Sequence, residues 1–311
     1  MTAELFPSTL PIMGTLSGTC SGRGWLERLP HVVARLQSRW QLWLEPPFRG
    51  GSCSWVAPAR LPDGLPVVLK VGWPHREAAG EAEALRLWDG NGAVRLLRED
   101  RDHHALLLER CEPGHPLGSA HQLSAARRLL FGAGLLRELW RAPVPELTRL
   151  ERLGDVTAEW ADLVEQRMHR CRPGFDPGLV AHGIRLLREL PASASHTVVV
   201  HGDFNPGNVV AASRRPWLAI DAKPMIGDPD YDPWPLLEQI DDPFTHADPH
   251  SVLTERFALV ADALDGNVER MQAWGIARRI ETALDVAAHG DTSGAHVVMN
   301  EARVLADLLG I

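Results

Sequence analysis

In "RLPHVVARLQSRW" (28–40) apolar residues recur at helical spacing, predicting an amphipathic helix after a short irregular start. Three extended runs follow, at 42–50, 52–60 and 66–73. The first two join around Gly50-Gly51 and the last two through "LPDGL", a turn signal between β-type runs. Helical spacing returns over 75–90, where Glu81, Leu85 and Trp88 share one face and Gly90 marks the stop. The runs 92–100 and 103–111 predict two more strands, paired antiparallel. "CEPGHPLG" (111–118) is a Pro/Gly connector with few apolar groups. Beyond it helical patterns dominate, at roughly 121–142, 156–171, 176–190, 251–264, 268–288 and 294–309. Only "TVVVHGD" (197–203) and "RPWLAID" (215–221), read as its partner strand, interrupt them. The pattern predicts an α+β chain in two lobes. Residues 1–110 form an N-lobe with an antiparallel sheet and one inserted helix, 111–118 a hinge, and 119–311 a larger, mostly helical C-lobe.

A chain of 311 residues with 45% hydrophobic content can bury one large core or two moderate ones. Its net charge of −8 argues against a nucleic-acid partner; it suits a cationic ligand, or simply solubility. Cys20, Cys53, Cys111 and Cys171 are far apart, with no metal spacing, which points to a reducing cytoplasm. No basic segment precedes the mildly apolar start, so no signal peptide is expected, and no apolar run reaches membrane length. The basic residues change the picture more. All are arginine except Lys70 and Lys223. A genomic bias toward arginine explains the depletion. A compact ammonium that must fit a phosphate explains why two lysines escaped it.

Both lysines lie among the residues with chemical promise. "VVVHGDFNPGNVV" (198–210) mounts His201, Asp203, Asn205 and Asn208 on a tight loop between apolar flanks. His-Gly-Asp followed by four residues and Asn has the spacing of a kinase catalytic loop, with Gly202 where protein kinases carry arginine. Asp221 follows thirteen residues after Asn208, at the end of an apolar strand. Asn208 and Asp221 can share a hard cation such as magnesium through oxygen ligands, leaving Asp203 to face an acceptor hydroxyl. Lys70 sits in the strand "PVVLKVG", where it either snorkels from an edge or grips nucleotide phosphates. In the second case a carboxylate on the next helix must hold it; Glu81 faces inward, with Glu77 and Glu83 as competitors. Upstream, the Gly50-Gly51 turn with Ser52 and Ser54 stands where a phosphate-covering loop belongs. This order of parts predicts an ATP-dependent kinase of small molecules.

At this point the chain resembles the aminoglycoside phosphotransferase family, whose fold is protein-kinase-like. "HGDFNPGN" matches the signature loop and "LAIDAKPMIGDPDYD" the segment after it. "GGSCSWVAPARLPDGLPVVLKVGWP", "LWDGNGAVRLL" and "LLLERCEPGHPLG" look like the streptomycin 6-phosphotransferase and hydroxyurea resistance kinase branch. The resemblance implies Asp203 as catalytic base, Asn208 and Asp221 as magnesium ligands, and Lys70 as the phosphate lysine. It implies that "ERCEP", with Glu109 and Cys111, binds adenine through its backbone. The expected acceptor is a hydroxyl of a small, cationic aminocyclitol such as streptomycin; an amino sugar, hydroxyurea or another metabolite is the alternative. A catalytically dead binding module is the reading from another class, and intact Lys70, Asp203, Asn208 and Asp221 oppose it. Glu238, Asp241, Asp242 and Asp248 in "EQIDDPFTHAD" are either acceptor-binding carboxylates or a solvated loop. Lys223 either contacts phosphate or serves as a salt-bridge partner. Asp228 and Asp232 are read as structural, tying their loop to a following helix.

Overall fold

The computed structural model describes residues 5–51, 53–76 and 79–311. Five strands make the N-terminal sheet: β1 (Trp43–Leu44), β2 (Ser54–Arg60), β3 (Pro66–Gly72), β4 (Leu96–Asp100) and β5 (Ala105–Glu109). They are antiparallel in the order β1–β2–β3–β5–β4. Side chains alternate across a strand, so the sheet has two distinct faces. Trp55, Ala57, Val67, Leu69, Val71 and Leu107 form one core with α1 (Pro11–Ser17) and α2 (Cys20–Trp40). Lys70, Leu106 and Leu108 belong to the other face, where the two leucines join the larger core. Period two therefore turns the lysine away from its apolar strand neighbours.

Helix α2 begins eight residues before the expected start, and α1 precedes it. Gly14, Gly18, Gly22 and Gly24 are poor helix formers, yet the outer sheet face needs a cover and packing overrides propensity. Gly22 is required there, since a Cβ would lie 2.1 Å from the Leu16 carbonyl oxygen. Of the extended run 42–50 only Trp43–Leu44 is strand. Pro46 and Pro47 have no N–H to give a ladder, although Glu45 and Phe48 still donate to β2 carbonyls at 2.9 Å. The inserted helix α3 spans Glu81–Trp88, shorter at its start than the 75–90 pattern, and ends on left-handed Asp89 before Gly90.

The C-terminal part is mostly helical: α4 (Ala125–Leu139), α5 (Leu153–Cys171), α6 (Pro177–Ala192), α7 (Trp234–Gln239), α8 (Pro249–Leu264), α9 (Val268–Ala288) and α10 (Thr292–Leu308). Its short strands are β6 (Glu151–Arg152), β7 (Val198–Val200), β8 (Val209–Ala211), β9 (Trp217–Ala219) and β10 (Met225–Gly227). Here the expected pairing is corrected. The 215–221 run pairs with β8, not with the 197–203 run, because 212–216 is short enough to close a local hairpin. Strand β7 instead pairs antiparallel with β10, which runs parallel to β6. Among the described residues no helix is long and apolar enough to cross a membrane.

Candidate active site

Strand β7 delivers the chain to His201, which is fully buried and stacked on Trp88 at 6.1 Å between ring centroids. Burial pushes the His201 imidazole below its usual range, so it is neutral. Its Nε2–H donates to the Ile220 carbonyl at 3.0 Å, while Nδ1 accepts the Asp203 N–H at 3.4 Å. The Asp232 carboxylate accepts the N–H groups of His201 and Gly202 at 2.7 and 2.8 Å and the indole N–H of Trp140 at 3.1 Å. Asp232 thus ties the catalytic-type loop itself, rather than a following helix. Asp228 does tie to a following helix, accepting from Arg270 and Trp274 of α9 at 2.6 Å each.

The loop holds its own aspartate in place. Asn205 donates from Nδ2 to Asp203 Oδ1 at 3.0 Å, and its Oδ1 accepts the N–H groups of Gly207 and Asn208. Asn208 donates from Nδ2 to the Asp203 carbonyl at 3.0 Å, which leaves its oxygen as the end suited to a cation. Sequence reasoning assigned Asn205 no task. The Asn-Pro-Gly turn signal, whose side chain folds onto its own backbone, was the available clue.

Across the cavity, Lys70 Nζ lies 2.5 Å from Glu81 Oε2 and 2.5 Å from Asp221 Oδ1. Burial works to lower the Lys70 pKa, but the two carboxylates outweigh it and hold the ammonium above its usual range. The charge of Lys70 in turn draws the Asp221 carboxyl below its usual range. Glu81 is thus the carboxylate that meets Lys70. Glu83 points elsewhere, to Thr148 and Arg149, and Glu77 lies outside the described residues. Lys223 Nζ stands 3.6 Å from Asp203 Oδ2.

These groups line one cavity of about 700 Å³ between the sheet and the helical part. Its wall includes Gly50, Gly51, Ser54, Lys70, Glu81, Glu109, Cys111, Asp203, Asn208, Asp221 and Lys223. Ser52 lies outside the described residues. The Glu109 carboxylate is turned to Arg214 at 2.8 and 2.9 Å, so this residue can offer a ligand its backbone but not its charge. Burial pushes the Cys111 thiol up to about 12, leaving it an uncharged wall group. Val68, Val94, Leu108 and Val210 supply apolar surface of the kind a flat heterocycle needs.

The acidic stretch is elsewhere. None of Glu238, Asp241, Asp242 and Asp248 lines this cavity among the described residues, and each has a protein partner. Glu238 pairs with Arg279, and Asp241 with buried Arg128 at 2.6 Å. Asp242 and Asp248 accept backbone N–H groups at helix starts, as N-caps do. Sequence alone carried no sign of these pairings, because the arginines lie on distant helices.

A five-stranded sheet with one helix, a lysine–glutamate pair and a helical part carrying His-Gly-Asp define a protein-kinase-like fold. The structure of choline kinase from Cryptosporidium parvum superposes with a TM-score of 0.63 at 11% identity, over 90% of this chain and 96% of that one. The chain belongs to the aminoglycoside/hydroxyurea antibiotic resistance kinase family, whose model matches residues 39–290. It is 34% identical to a streptomycin 6-kinase of Streptomyces glaucescens, over 85% of this chain and 84% of that protein. It is also 34% identical to a hydroxyurea phosphotransferase of Kitasatospora aureofaciens, over 89% of this chain and 78% of that one. The protein is therefore a kinase, a phosphotransferase with a hydroxyl acceptor.

Proposed function

We propose that the protein moves the γ-phosphate of ATP to a hydroxyl of an aminocyclitol antibiotic, with streptomycin the first acceptor to test. One observation carries this reading: Lys70, held between Glu81 and Asp221, faces the cavity whose wall also bears Asp203 and Asn208. Adenine fits against the apolar wall and the backbone of 109–113, and the phosphates run under Gly50, Gly51 and Ser54 toward Lys70. Cys111 supports this placement, for its N–H donates to no backbone carbonyl among the described residues. The oxygens of Asn208 and Asp221 are hard donors and suit magnesium, which when bound neutralises phosphate charge. Asp203, braced by Asn205, orients the acceptor hydroxyl and takes its proton. The hydroxyl oxygen bonds to the γ-phosphorus as the bond from that phosphorus to the β–γ bridging oxygen breaks, and ADP leaves. Lys223, beside Asp203, is suited to steady the transferring phosphoryl group. A nucleotide co-substrate and an acceptor that must be modified inside the cell fit a cytoplasmic enzyme.

The streptomycin assignment rests on the streptomycin 6-kinase relative; the hydroxyurea relative makes hydroxyurea the second candidate. A panel assay decides: purified protein, ATP and magnesium with streptomycin, other aminocyclitols, amino sugars or hydroxyurea, read by ADP release and product mass. Streptomycin gaining one phosphoryl group is the expected result. Turnover with an amino sugar alone would overturn the acceptor assignment, and no turnover with any hydroxyl compound would overturn the reading itself.

A further inference from the structure

The helix that carries Glu81 is fastened by a segment of the C-terminal part. Between α4 and α5 the chain returns to α3. Thr148 Oγ1 donates to Glu83 Oε1 at 2.6 Å and accepts the Leu150 N–H at 2.9 Å, so the hydroxyl is fixed from both sides. The Arg149 N–H is shared between both Glu83 oxygens at 3.4 and 3.3 Å. Buried Leu150 lies against Gly80, the residue before α3; a Cβ there would be 2.7 Å from Leu150 and 3.1 Å from Pro224. Arg76, also ahead of α3, is ion-paired with Glu151 and Glu159.

This strap continues directly into the machinery. Glu151 and Arg152 are β6, which pairs with β10; β10 pairs with β7, and β7 leads into Asp203. Pro224 follows Lys223 on the loop after Asp221. Helix α3 has only eight residues and no side-chain cap at Gly80, so it has little stability of its own. Lys70 rides on β3 and Glu81 on α3, so the distance between them depends on how α3 sits against the sheet.

We propose that Glu83 is a positioning residue: gripped by Thr148 and Arg149, it registers α3 to the catalytic-loop sheet and so sets Glu81 and Lys70 against the nucleotide phosphates. This rests on Lys70 being the phosphate lysine. Glu83 touches no reacting group in that reading and acts on the nucleotide only through Glu81 and Lys70.

The test is a thermodynamic cycle on ATP–magnesium affinity, titrated with the full chain. Glu83→Ala should weaken binding roughly tenfold, within the range of coupling between contacting residues. In a Lys70→Met background the same substitution should change affinity less than about twofold, because the route is already cut. Thr148→Val should reproduce the Glu83→Ala loss. Glu83→Gln should recover most of the affinity, since its amide oxygen still accepts from Thr148 and Arg149. Equal losses in both backgrounds would reveal a merely structural staple, and no loss in either would likewise overturn the proposal. Should Glu83→Ala not fold, Thr148→Val measured in both backgrounds decides in the same way, with Glu83→Gln expected to bind as the parent does. The nucleotide reading fails separately, if the unaltered protein does not bind ATP–magnesium or Lys70→Met binds it equally well.

Discussion

Gly202 and Lys223 approach so closely that no side chain fits between them. Gly202 has φ of +82°, and a Cβ on it would lie 1.9 Å from the Lys223 carbonyl oxygen. The Lys223 N–H meanwhile donates to the His201 carbonyl at 2.9 Å, so the two loops are locked at this point. That explains why glycine stands where protein kinases have arginine. Gly202→Ala should strain the backbone by about 1–2 kcal/mol and also push the Asp221–Lys223 loop away. The expected outcome is a lowered melting temperature with activity falling further than stability. Unchanged kinetics would mean that the two loops need not touch.

Lys70 is tied to structure as well as to chemistry. Lys70→Met should weaken ATP–magnesium binding and slow transfer, and Lys70→Arg should do so too, because a planar fork does not fit a point-charge position. Lys70→Met also leaves Glu81, only 3% exposed, buried without its counter-charge. Burial already holds the Glu81 carboxyl above its usual range in the parent, and loss of the opposing Lys70 charge should raise it further in the folded variant. A carboxylate raised in this way favours folding when protonated, so the variant should lose stability as pH climbs above about 4.3, the unfolded value. Melting curves from pH 4 to 8 test this. Lys70→Met with Glu81→Gln should remove the slope, and a slope that survives would assign it elsewhere.

Asp230 offers a cleaner pH effect, away from the cavity. Burial, aided by the Asp228 charge, pushes its carboxyl up to about 6. The unfolded value is about 3.9, so the folded protein binds the extra proton between these limits and loses stability as pH rises through them. Asp230→Asn keeps an oxygen for the Asn267 N–H and carries no charge. It should match the parent at pH 4 and exceed it at pH 7 by about 1–3 kcal/mol, measured by denaturant unfolding. A parent that is the more stable at pH 7 would show that the Asp230 charge is needed.

Much of this site was legible in sequence for a definite reason. Helical periodicity turned Glu81 inward beside Leu85 and Trp88, whereas Lys70 stood out as a lone lysine in an apolar strand and His201 through Asn208 as a loop of recognisable spacing. What escaped detection depended on partners far along the chain. The pairing of β7 with β10 needed the knowledge that β8 and β9 close on each other first. The acidic stretch read as available charge because Arg128 and Arg279 are distant in sequence. Helix α1 and the first eight residues of α2 hid behind Gly14, Gly18, Gly22 and Gly24, since the sheet face they cover is not a local property.

Asp203 is the last residue whose role can be separated by experiment. Its Oδ1 is held by Asn205 at 3.0 Å, so Asp203→Asn preserves shape while removing the charge proposed to receive a hydroxyl proton. If it is the base, kcat should fall by about 10²–10⁴, the usual worth of a positioned general base. A loose phosphoryl transition state, with late proton transfer, would put the effect toward the lower end of that range. ATP–magnesium affinity should scarcely change, because the cation is assigned to Asn208 and Asp221. Asn208→Ala and Asp221→Ala should show the complement, a higher magnesium requirement together with lost activity. Asp221→Ala also removes a partner of Lys70 at 2.5 Å, so its nucleotide affinity should fall more than that of Asn208→Ala. Titrating nucleotide and magnesium separately distinguishes the roles. If Asp203→Asn abolished magnesium binding and Asp221→Ala did not, base and metal ligand would have to be exchanged.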